Sequence, residues 1–197
     1  MTSEAPVLST RPRPSAELRA VARDQFAAVG FAATSLQQIA DIAGYSKSSV
    51  LYHFASKEAL LDAVLAPAID ELERILQLWL ASPATDASRL AFVESFVDFL
   101  LAYRQEVHTF INQGQSLVDV PTIARANTLI VQLSSAMCPP AATIEDQLRF
   151  GVALGGAAFT LTSGAGYTGE QLPPVEQLRP ALLRVVSDLL APVPVRR

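Results

Sequence analysis

From Thr34 to Glu58 the sequence writes two short helices about one glycine and then opens a third, a pattern that points to a helix-turn-helix. Ser35 stands before an apolar-periodic run and Gln38 lies three residues on, so the hydroxyl caps an orphan N–H while the amide reaches back. The helix that starts there carries Ile39, Ala40 and Ala43 on one face. It stops at Gly44, the residue type best able to enter the left-handed conformation of a tight turn. Gly44-Tyr45-Ser46 is that turn. Ser46 then caps a second short helix in which Val50 and Phe54, four apart, point inward together, leaving Lys47, Ser48, Leu51 and Tyr52 outward.

A short helix with small and polar residues at its start fits the roughly 12 Å wide major groove of B-DNA and presents its first side chains to base edges. In this reading Lys47, Ser48 and Leu51 read bases, and Lys47 is the candidate for a guanine. Leu51 has no hydrogen-bonding group, so its contact is apolar, for example a thymine methyl.

The segments Phe26-Ala-Ala-Val-Gly-Phe31, Thr34-Ser35, Ile39-Ala40, Ala43-Gly44, Ser46-Lys47, Leu51-Tyr-His-Phe54 and Ser56-Lys-Glu-Ala-Leu-Leu61 follow in order. In that order and spacing the region resembles the DNA-binding head of the TetR family of bacterial repressors. The resemblance implies DNA-backbone contacts from Thr34, Ser35, Tyr45, Ser49, Tyr52, His53 and Lys57. It also implies a body that binds an effector and pairs its last two long helices with those of a second copy. Ser48, Ser49, Val50 and Leu51 depart from the family's usual residues after the lysine, so the operator cannot be carried over from relatives.

The chain has 197 residues, enough for such a head and a body with its own core. Half of it is apolar, with Ala and Leu prevailing over β-branched residues, and this favours an all-α fold of about nine helices. The expected organisation is a flexible arm over 1–14, the helix-turn-helix domain over 15–60, and an effector-binding and dimerisation domain over 61–197. The formal net charge of −4 is unevenly spread: residues 1–60 hold six Lys/Arg against five Asp/Glu, the remainder nine against fourteen. A head this weakly basic implies few phosphate contacts and modest nonspecific affinity. Arg11 and Arg13, between prolines, belong either to a solvated tail or to an arm that enters a minor groove. The polar, Pro-broken residues 1–14 match neither a signal nor a transit peptide, and the single Cys138 fits a reducing cytoplasm.

Helical spacing predicts a first helix over 15–29 with Leu18, Val21, Ala22 and Phe26 inside, and a long fourth helix over 56–79 that Pro67 interrupts. The fifth, ending at Tyr103, is apolar on nearly every side and therefore central. A broken helix over 107–117, a helix before Pro139-Pro140, an eighth over 144–163 and a last over 175–190 complete the set. The apolar run from Phe150 to Leu161 is shorter than the roughly 20 residues a bilayer span requires. Gly151, Gly155 and Ala158 within it would let another helix approach closely, which makes them the candidates for a dimer interface.

Trp79, Phe92, Phe96, Phe99, Tyr103, Phe110 and Phe159, with His108 as a polar anchor, supply enough aromatic surface to border a cavity for an apolar or aromatic small molecule. Core packing would use the same residues. No nucleophile–base arrangement, carboxylate pair, phosphate-binding glycine loop or zinc-ligand spacing is present in the sequence, so no catalytic residue, metal or cofactor is assigned. Gly164-Ala-Gly-Tyr-Thr-Gly169 lacks a preceding strand and a following lysine and reads as a loop. The expectation is a homodimeric, effector-responsive repressor on double-stranded DNA. The alternative is an apolar-ligand carrier on the same scaffold without DNA binding.

Overall fold

The computed structural model describes residues 13–83, 85–114, 117, 120–138, 142–163 and 173–191. Among them the chain forms nine helices and no strand: α1 (Pro14–Ala28), α2 (Leu36–Ala43), α3 (Lys47–His53), α4 (Lys57–Ala81), α5 (Asp86–Ala102), α6 (Arg104–Gln113), α7 (Pro121–Met137), α8 (Ile144–Thr162) and α9 (Val175–Leu190). The all-α expectation therefore holds. Two compact units result, one ending at Leu61 and the other beginning at Asp62.

In the first unit α1 begins at Pro14, inside the span expected for the arm, because proline presets the φ of a first helical position and gives up no hydrogen bond there. Arg11 and Gly164–Gly169 lie outside the described residues. Leu18, Ala22 and Phe26 of α1, Ile39 and Ala40 of α2, Val50 of α3, and Leu60 and Leu61 are all fully buried. The turns match their sequence signals. Ser35 and Gln38 close a capping box, and Gly44 takes φ +75 while its N–H returns to Ala40 and Asp41. The Ser46 hydroxyl accepts the Ser49 N–H at 3.1 Å to cap α3.

In the second unit α5 is the central element, burying Phe92, Val93, Phe96, Val97, Phe99 and Leu100 against α4, α7, α8 and α9. Leu90 is half exposed near the start of the helix. The break before α6 comes earlier than the spacing suggested: Tyr103 alone separates it from α5. Polar side chains lock neighbouring helices. Asp62 accepts the N–H and hydroxyl of Thr122 at the open first turn of α7, and Arg125 bridges Asp70 and Glu73. Arg149 donates to the Leu189 and Asp188 carbonyls at the end of α9, and Arg104 to the Leu161 carbonyl at the end of α8. Each arginine thereby satisfies acceptors that a helix terminus leaves open. Among the described residues no helix is long and apolar enough to cross a membrane.

Candidate nucleic-acid interface and ligand cavity

The buried Val50 turns α3 so that Lys47 and Ser48 are exposed at its first turn, with Leu51 and Tyr52 on the same outer side. Leu51 is 44% exposed and Tyr52 86%, a large apolar and aromatic commitment to solvent for so short a helix. His53 is also exposed and meets the Tyr52 ring edge-on at 5.2 Å. The face has one cation, Lys47, flanked by the Ser48 hydroxyl, which sits 2.9 Å from that of Ser46. Such a face offers donors, acceptors and an apolar patch within one helical turn, the chemical variety that base-edge readout uses.

The structure separates the remaining head residues into two groups. Ser35 and Ser49 stay near the surface beside the caps of α2 and α3. Thr34, Tyr45 and Lys57 are committed within the head instead. Thr34 is 2% exposed and its hydroxyl donates to the Gly30 carbonyl at 2.8 Å. The Tyr45 hydroxyl donates to the Glu17 carboxylate of α1. The Lys57 ammonium donates to the Phe31 and Thr34 carbonyls at 2.7 and 2.8 Å and stands 4.2 Å from the centre of the Phe31 ring. The reason is local: the turn between α1 and α2 leaves carbonyls without helical partners, and a cation reaching back from α4 satisfies two of them. These three side chains, expected from the resemblance to contact the DNA backbone, make contacts within the head.

A cavity of about 490 Å³ opens in the second unit between α4, α5, α6, α7 and α8. Phe96, Phe99, Phe110 and Phe159 border it as expected, joined by Leu65, Leu72, Val107 and Leu133. Trp79, Phe92, Tyr103 and His108 do not. Trp79 packs on Phe92 at 5.4 Å and Tyr103 on Phe99 at 5.6 Å, so these rings belong to the aromatic row behind the wall. Gly151, Gly155 and Ala158, expected between paired helices, line the cavity. A Cβ built at Gly151 or Gly155 meets nothing within 4 Å, so no helix of this chain presses on them; their small size widens the cavity. The wall also includes Glu106, which is 8% exposed and is the one ionisable residue on it among the described residues. The sequence held a signal for it, since Glu106, Thr109 and Phe110 recur at helical spacing on one side of α6.

Comparison with known proteins bears on the head first. The family model described as "Bacterial regulatory proteins, tetR family" matches residues 18–64. RutR, an HTH-type transcriptional regulator of Escherichia coli K12, is 36% identical over 116 residues, which cover 57% of this chain and 50% of that one. KstR2, an HTH-type transcriptional repressor of Mycobacterium tuberculosis H37Rv, is 33% identical over 107 residues, 53% of each chain. The chain thus spans about half the length of these curated relatives. The solved structure of the ketosteroid transcriptional regulator KstR2 of Mycobacterium tuberculosis aligns over 93% of this chain and 97% of its own, at 20% identity and a TM-score of 0.72. Residues 18–64 carry the head of the TetR family. The structural likeness establishes the fold over nearly the whole length of the chain, whereas the sequence likeness covers part of it.

Proposed function

We propose that the protein is a transcriptional repressor that binds a palindromic operator as a homodimer and is released when a small apolar or aromatic molecule occupies its cavity. The observation that carries the reading is the outward face of α3, where Lys47, Ser48, Leu51 and Tyr52 stand in solvent together on one short helix. An apolar wall of this size supports the choice of effector, as does the name of a relative that refers to ketosteroids. Pairing through α8 and α9 is supported by Ile144, Leu148 and Val152, exposed at spacings of four along α8, and by Val185 on α9. One recognition helix per chain then demands two half-sites about one helical turn apart, roughly 35 Å.

The test is a mobility shift against DNA from upstream of the protein's own gene, with and without cell extract, followed by selection from random duplexes. The reading predicts an inverted repeat and a shift that extract weakens. Failure to bind any duplex while apolar probes still enter the cavity would replace it with the carrier function. Release also requires reciprocity. If effector lowers operator affinity a hundredfold, saturating operator lowers effector affinity by the same factor, which is about 2.7 kcal/mol of coupling.

A further inference from the structure

Five of the residues that line the cavity are also exposed to solvent: Ile111 of α6, Ile130 of α7, and Gly151, Gly155 and Phe159 of α8. The cavity therefore opens to the surface along α8. That opening is continuous with an apolar stripe on the same helix. Ile144, Leu148, Val152 and Phe159 recur at helical spacing, with Gly151 and Gly155 between them on the same face, and all four large side chains are more than half exposed. We propose that a second copy of this chain seals the opening, its α8 crossing this α8 antiparallel, so that the effector is fully enclosed only in the dimer. This rests on the cavity being an effector site and on pairing through α8.

Two properties of the stripe favour its own copy as the occupant. A contact about a two-fold axis sets a patch against itself, so any charge near the axis meets a like charge. The stripe carries none. Of its ionisable neighbours, Asp146 turns back to the Thr143 cap, Arg149 reaches the α9 carbonyls, and Glu145 stands 3.8 Å from Arg149. Size is complementary as well. With the axis at the middle of the stripe, between Gly151 and Val152, Leu148 lies opposite the partner's Gly155, and Ile144 opposite the partner's Phe159. A Cβ at Gly155 would meet nothing within 4 Å, so a leucine arriving from outside has room there. The partner's Leu148 then supplies the outer wall that this chain alone leaves open.

The experiment titrates the full chain, without DNA, with the neutral apolar fluorophore N-phenyl-1-naphthylamine, and follows molecular mass by analytical ultracentrifugation. Affinity for the fluorophore should fall as the chain is diluted through the range in which the dimer dissociates, and saturating fluorophore should shift that range to lower concentration. Ile144→Glu puts a charge on the stripe at a residue that does not line the cavity. It should give a monomer that binds the fluorophore about tenfold less tightly, the order expected when one large apolar contact is uncovered, and Leu148→Glu should do the same. Circular dichroism checks that both variants fold, and the dilution series needs no substitution. A folded monomer that binds the fluorophore as tightly as the dimer would overturn the sealing while leaving the effector cavity and the pairing in place. A dimer that survives both substitutions, or a wild-type chain monomeric at every concentration, would overturn the sealing together with pairing through α8. No saturable fluorophore binding would overturn the sealing and the effector reading beneath it.

Discussion

Replacing Lys57 by methionine separates a DNA contact from a structural tie. The substitution keeps the aliphatic stem and removes the ammonium, which donates at 2.7 and 2.8 Å to the Phe31 and Thr34 carbonyls and sits 4.2 Å from the Phe31 ring centre. A hydrogen bond to a charged group is worth about 1.5–3 kcal/mol net, and a cation over an aromatic face about 0.5–1 kcal/mol at a partly exposed site. The two bonds share one half-buried ammonium and water can partly replace it, so a loss of about 2 kcal/mol from the head is the expected cost. Hydrogen exchange followed by mass spectrometry should then show the amides of α2 opening about thirtyfold faster, with those of α5 unchanged. The dependence of operator affinity on salt should keep its slope, because Lys57 neutralises no phosphate in this account. A slope reduced by about 0.9 with unaltered exchange would refute the structural role and make Lys57 a phosphate ligand.

Lys47→Ala should relax sequence preference at one base position, whereas Tyr52→Phe should weaken binding to all sequences alike; profiles across a randomised operator distinguish the two. Leu148→Glu, on the exposed side of α8, should yield a monomer by light scattering with weakened operator binding. Gly155→Leu should lose apolar-probe binding, and light scattering on the same variant tests whether this glycine also lies between paired subunits. The Arg179 guanidinium, hydrogen-bonded to Asp98, holds that carboxyl below the usual carboxylate range. The stability it contributes is therefore present above about pH 4 and is lost as pH falls through the depressed value. Asp98→Asn should flatten the acid limb of a urea-midpoint profile at low salt, with only a small effect near neutrality because both groups are about half exposed.

The head was legible because its information is local. Ser35 with Gln38, Gly44, and Ser46 each act within one turn of the residues they organise, and the i to i+4 relation of inner residues on α3 decides which of its side chains face solvent. The all-helical body was legible for the same reason, from the period of its apolar residues. What that period cannot distinguish is a wall from a core. Phe92 and Phe96 stack one turn apart at 5.9 Å, yet only Phe96 reaches the cavity. Gly155 suggests a close helix contact by its composition, and only the fold places it on the cavity wall. Lys57 and Thr34 carry groups that can bind phosphate, and only the folded turn between α1 and α2 shows carbonyls that engage them first. Local hydrogen bonding and helical period are properties of neighbours in sequence, so the chain alone determines them. Cavity walls and the choice of a polar side chain's partner depend on which helices meet, and that only the tertiary structure decides.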